Sequence, residues 1–195
     1  MTFLVDFLLS LIFCIYLIIF GVIYHPSKLI IFFIYVSGFK TSKQGIALIK
    51  RWEGFSARAY QDPVGIWTIG YGHTGKDVIR GLIITEAQAE SLLRQDVQEA
   101  ENNVQNQVKV QLTQNQFDAL VSWTYNLGGK NLSQSTMLRL LNKGNYDSVP
   151  CQMMRWVYAG KKRLNGLVKR RKAEAQLFNN GRSFSCNQVL SDDLL

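Results

Sequence analysis

Eighteen consecutive residues, Phe7 to Tyr24, carry no charge. As a helix rising ~1.5 Å per residue they would reach roughly 27 Å, close to the hydrocarbon thickness of a bilayer. A helix that is apolar all round belongs in a membrane or in the middle of a large core. A complete globular pattern follows it, which favours the membrane. The chain therefore divides into an apolar membrane or export segment over 1–39, a globular domain over 40–180 and a tail over 181–195. Of the 22 Lys and Arg residues only Lys28 precedes residue 40, and of the 14 Asp and Glu only Asp6 does. The net charge of +8 thus belongs to the domain, and a basic domain suits nucleic acid, anionic lipid or the acidic polymers of a bacterial envelope.

How the first segment meets the membrane stays open at this level. No Lys or Arg precedes residue 28, unlike a secretory signal. Lys28, Lys40 and Lys43 follow the run, which by the positive-inside rule would keep the domain in the cytoplasm. Against that, Lys28 with the second apolar run Leu29–Phe39 would serve as a further export element. The two runs would equally form a re-entrant pair, or residues 1–39 would reflect an extended start. Three cysteines, Cys14, Cys151 and Cys186, make no dense disulfide framework. Cys151 and Cys186 pair in an exported domain or stay as two thiols, and the sequence does not choose.

From Thr41 the pattern is helical. Over Ser42–Glu53, Ile46, Leu48, Ile49 and Trp52 share one arc while Lys43, Gln44, Lys50 and Arg51 lie outside it, and Gly54 suits the stop. Short extended pieces, Phe55–Tyr60 and Ile66–Tyr71, flank the turn Asp62-Pro-Val-Gly65. Thr85-Glu-Ala-Gln88 and Thr113-Gln-Asn-Gln116 are capping boxes. The first predicts a helix to about Gln105, the second a helix ending at Gly128-Gly129. Further helices are predicted over Ser135–Lys143, Tyr146–Tyr158 and Leu164–Phe178.

The chemistry gathers between residues 53 and 73. Glu53 falls inside the apolar arc of its helix, where desolvation disfavours a charged carboxyl and suits a proton donor. Asp62 opens a turn that keeps it solvated and ionised. Two carboxyls in unlike surroundings are the equipment of a glycosidase. Thr68 follows on a strand, where alternation puts it with Ile66 opposite Trp67 and Ile69 and lets its hydroxyl orient a water. His73 is the one histidine of the domain; with no Cys or His at ligand spacing it argues against a metal, and an imidazole pinned by a carboxylate is its expected role. Tyr71, Trp67, Trp123 and Trp156 would stack on sugars or fill the core. Arg170 and Arg171, in the basic run Lys169–Lys172, are candidates to tune Glu53. No cofactor is expected. A membrane-anchored nucleic-acid binder would explain the charge but not the spacing of Glu53, Asp62 and Thr68.

Those residues resemble the phage lysozymes of glycoside hydrolase family 24. Glu53, Asp62 and Thr68 precede Gly70-Tyr-Gly-His73, and the likeness to lambdoid-phage endolysins extends through Val64-Gly-Ile-Trp-Thr68, Gly72-His-Thr-Gly-Lys-Asp77, Tyr125-Asn-Leu-Gly128, Ser135-Thr136, Arg155-Trp-Val-Tyr-Ala-Gly160 and Gly166-Leu-Val-Lys-Arg-Arg171. The resemblance spans about Gly45 to Phe178. It implies an α+β lysozyme-like fold: a small β-hairpin lobe and a mostly helical lobe joined by the long helix from Thr85, preceded by the N-terminal apolar helix. It implies cleavage of the β-1,4 bond between N-acetylmuramic acid and N-acetylglucosamine, with Glu53 as general acid, Asp62 and Thr68 placing the water, and inversion. His73, Tyr71, Arg170 and Arg171 then support the site. The implied partners are peptidoglycan and, through residues 3–39, the membrane, with no nucleic acid, acting as a monomer. The implied place is the host inner membrane, with the domain facing the periplasm or released into it. Some such relatives carry Gly- and Ala-rich segments that leave the bilayer; this one is dense in Ile, Leu and Phe, so tethering or cleavage is expected instead.

Overall fold

The computed structural model describes residues 39–62 and 65–186. The apolar run 7–24 and the helix expected there lie outside the described residues. Among the described residues no helix is long and apolar enough to cross a membrane.

Helix α1, Lys43–Glu53, is capped by Ser42, whose Oγ accepts from the amides of Gln44 and Gly45, and is stopped by Gly54 at φ 75°. Asp118, fully buried, accepts from the Ser42 amide (3.0 Å) and from the Ser42 hydroxyl. Glu101 likewise accepts from the Thr41 amide at 2.7 Å and from Lys40 Nζ at 2.8 Å. Two buried carboxylates thus grip the first turn of the domain. Phe39 joins them by stacking on Phe117, with centroids 5.3 Å apart, so the packed domain begins one residue before the boundary read from composition.

Strands β1 (Ser56–Gln61), β2 (Trp67–Gly70) and β3 (His73–Thr74) form an antiparallel sheet in that order. Tyr60 pairs with Thr68 and Gln61 with Trp67; the register slips between Ser56 and Tyr60. The third strand was not expected. It exists because Gly70 and Gly72, at φ 65° and 91°, reverse the chain around Tyr71 so that His73 returns opposite Ile69.

Helix α2, Glu86–Gln107, opens on the capping box of Thr85 and Gln88 and buries Ala89, Leu93, Val97, Ala100 and Val104 along one stripe. Its 22 residues reach ~33 Å, from β2 and β3 at one end to the helical lobe at the other. Helix α3, Gln114–Leu127, opens on the second capping box and ends at Gly128. Every residue from Phe117 to Thr124 is buried, so α3 is enclosed on all sides. Around it pack α1, α2, the short α4 (Gly129–Gln134) and α7 (Asn165–Phe178). Helices α5 (Thr136–Leu141) and α6 (Val149–Met153) complete the lobe.

The helix predicted over Tyr146–Tyr158 is shorter than expected. Pro150 sits in its first turn, and the chain leaves it after Met153. Tyr158–Ala159 (β4) and Lys162–Arg163 (β5) form a two-stranded ribbon instead, turning at Gly160 with φ 57°. Beyond α7, Cys186 returns to α6 and forms a disulfide with Cys151, with Cα atoms 5.3 Å apart. The pairing left open by the sequence is made.

Candidate active site

Glu53 is the last residue of α1 and keeps 22% of its side chain exposed. Its carboxyl does not meet the apolar shield expected from the helix wheel. The helix ends there, and the side chain reaches across to α7, where Arg170 Nη1 donates to Glu53 Oε1 at 2.8 Å. Oε2 faces the β2–β3 turn: a Cβ on Gly72 would lie 3.9 Å from it. Of the two arginine candidates, Arg170 makes the contact and Arg171 stands one step behind.

Behind Arg170 is a buried ionic network that sequence reasoning missed. Arg170 Nε donates to Glu174 Oε1 at 3.2 Å, and its Nη2 reaches the carbonyl of Ser122 at 3.4 Å. Ser122 Oγ donates to Glu174 Oε1 at 2.8 Å, and Arg171 Nη2 donates to Asn126 Oδ1 at 2.7 Å. Arg171 Nε stands 2.9 Å from Glu174 Oε2, an ion contact too misaligned to count as a hydrogen bond. Arg171 and Glu174 are wholly buried. Burial pushes the Glu174 carboxyl up from its ordinary value, against the pull of Arg171, Arg170 and Ser122. Burial likewise brings Arg171 down to about 10, with Glu174 opposing. The spacing of Glu174 three and four residues after the two arginines was a readable signal, and Asn126 lay within the motif Tyr125-Asn-Leu-Gly128 without its partner being legible; Ser122 left none.

Asp62 closes the β1–β2 turn from within: its amide donates to the Ile66 carbonyl (2.9 Å) and its Oδ1 accepts from the Ile66 amide (2.8 Å). Thr68 is 5% exposed, and its hydroxyl donates to the Ile66 carbonyl at 3.2 Å. The simple alternation read from sequence does not hold here, since Thr68, Ile69 and Gly70 are all buried and Ile66 is half exposed. Sheet, turn and α2 cover both sides of β2.

His73 is pinned as expected. Nδ1 lies 2.9 Å from Asp96 of α2, and Nε2 lies 3.1 Å from Asp77. Burial disfavours the imidazolium, but the bonds to Asp96 and Asp77 outweigh it and hold the pKa above its ordinary value. Tyr71 is buried and donates to Glu86 Oε1 at 2.8 Å, beneath Lys50, whose Nζ is 5.0 Å from the ring. Both residues fasten the sheet to α2. Trp123 lies in the core, edge-on to Trp156 at 5.1 Å. Tyr125, on α3, has its phenol pushed up by burial and then by the charges of Glu53 and Asp96. Neither of two surface grooves, about 560 Å³ along α1 and α7 and about 780 Å³ beside the disulfide, includes Glu53.

A small sheet and a helical lobe spanned by one long helix, with a glutamate closing α1, make a lysozyme-like α+β fold. The phage lysozyme family model matches residues 50–174. The endolysin of Bacillus phage B103 is 47% identical over 152 residues, 77% of this chain; the chain spans 58% of that relative's length. The SAR-endolysin of Enterobacteria phage P21 is 38% identical over 125 residues, 64% of this chain and 76% of the relative. Among solved structures, a P22 lysozyme mutant superposes with a TM-score of 0.69 at 41% identity, covering 72% of this chain and 99% of that one. The chain belongs to the phage lysozyme family.

Proposed function

We propose that the chain is an endolysin that hydrolyses the β-1,4 bond between N-acetylmuramic acid and N-acetylglucosamine in peptidoglycan and so contributes to host lysis. Glu53 carries the reading. It is a carboxyl at the mouth of the two lobes, partly exposed to a sugar chain yet held in one position by Arg170. Glu53 gives its proton to the bridging oxygen while the bond to the anomeric carbon breaks. Asp62 and Thr68 place the attacking water on the far face, which inverts the anomeric carbon. Arg170 holds Glu53 from behind, Arg171 backs Arg170, and His73 and Tyr71 fix the sheet against α2.

The domain works at the host inner membrane, facing the periplasm or released into it. The likeness to a SAR-endolysin supports this, as does the Cys151–Cys186 disulfide, which persists in an oxidising compartment. Residues 3–39 deliver it. The whole chain, incubated with purified peptidoglycan, is expected to release reducing muramic-acid ends, and Glu53→Gln to lose nearly all of that rate. An amide cannot give up the proton, so a Gln variant at wild-type rate overturns the assignment. Anhydro-sugar products would mark a lytic transglycosylase instead.

A further inference from the structure

We propose that Glu174 is a positioning residue for Glu53: it anchors Arg170 through Nε and balances the charge of Arg171, so that the acid meets one uncompensated guanidinium and not two. The proposal rests on the reading of Glu53 as the proton donor. Its basis is geometric. Arg170 is shared between two carboxylates, with Nη1 on Glu53 at 2.8 Å and Nε on Glu174 at 3.2 Å. Adjacent guanidiniums repel, and Arg170 and Arg171 are 4% and 0% exposed, with little water to separate their charges. Glu174 is the carboxylate that touches both.

The surroundings of Glu174 contain few other charges. On α7 it faces Arg170 and Arg171. From α3 it receives Ser122 Oγ, with Asn126 bonded to Arg171; the buried phenol of Tyr125 on the same helix feels the charges of Glu53 and Arg170. From α1 comes Glu53, joined through Arg170. Helix α6, which also packs on α7, brings Gln152 and the disulfide-bonded Cys151 and no charged side chain. Glu174 supplies one negative charge against the two guanidiniums, so one positive charge is left uncompensated beside Glu53. Exchanging Glu174 for an amide leaves two positive charges acting on Glu53 alone. An added positive charge favours the ionised acid, and an ionised Glu53 has no proton to give.

The test compares pH–rate profiles on purified peptidoglycan for the full chain, Glu174→Gln and Glu174→Asp, with thermal unfolding of each. The expected result is an alkaline limb displaced to lower pH in Glu174→Gln, by on the order of one pH unit, so that the rate falls about tenfold on that side. Glu174→Asp keeps the charge and is expected to return the limb to its wild-type position even where the maximal rate is lower. Ser122→Ala removes a donor from the same carboxyl and moves the limb the same way by less; it carries the test where Glu174→Gln does not fold. Unmoved limbs with only a lower rate would show a structural strut and overturn the proposal. An active Glu53→Gln enzyme would refute the proton-donor reading separately, and this proposal with it.

Discussion

Cutting the Cys151–Cys186 bond gives a change whose size follows from the chain alone. The bridge joins residues 35 apart. In the loop-closure account a cross-link removes about 2.1 + 1.5R ln n cal/mol/K from the unfolded chain, here roughly 13 cal/mol/K, or about 4 kcal/mol at 25 °C. Against a total stability of roughly 5–15 kcal/mol that is a large share. Cys186→Ser is the better variant, because Cys186 is half-buried whereas Cys151 is 3% exposed and a hydroxyl there would be desolvated. Urea unfolding followed by tryptophan fluorescence suits the chain, since Trp123 lies in the core against Trp156. The midpoint is expected to fall and the slope m to rise, because an uncrosslinked chain exposes more surface on unfolding. For a domain of this size the melting temperature drops by on the order of 10 °C. Wild-type protein in reductant should match the variant. A loss below ~1 kcal/mol with m unchanged would refute the reasoning: the unfolded chain would then not feel the cross-link.

Three further perturbations probe other parts of the structure. Arg170→Met leaves Glu174 buried beside Arg171 and is expected to cost about 3–5 kcal/mol, whereas Lys50→Met, which loses the surface pairs to Glu86 and Glu90 and the charge over the Tyr71 ring, should cost ~0–1 kcal/mol; equal losses by denaturation would contradict the burial argument. Gly45→Ala would set a Cβ 2.5 Å from Thr41 Cγ2 and 2.8 Å from Asp118 Cγ, so it should destabilise by about 1–3 kcal/mol although Ala favours helix; a stabilised variant would refute the close approach. His73 holds its proton more tightly folded than unfolded, so its contribution is complete below pH 6.5 and is lost as pH rises through the elevated folded value. His73→Gln should therefore flatten stability against pH above 6.5, and an unchanged slope would show that Asp96 and Asp77 do not hold the imidazolium.

What could be read from the sequence was what neighbours along the chain decide. Thr85 with Gln88 and Thr113 with Gln116 each satisfy one another's amides within a single turn, so both capping boxes appear where their spacing put them. Gly54 and Gly128 end their helices at positive φ for the same local reason. Local pattern misled where a distant element intervened. Tyr146–Tyr158 reads as one helix, yet the ribbon β4–β5 takes its last residue and the amide of Leu164 bonds back to Val157. Thr68 reads as one face of a half-exposed strand, yet β1, β3 and α2 enclose it. The same holds for the chemistry. Residue type nominated Glu53 and placed Arg170 and Arg171 as candidates, but 117 positions separate Glu53 from Arg170, and the contact exists because α1 and α7 both pack on α3. The helix wheel gave Glu53 an apolar environment because a wheel describes one helix. Its environment is set by a second helix carrying a charge, and that second helix is held in turn by Ser122 of the third.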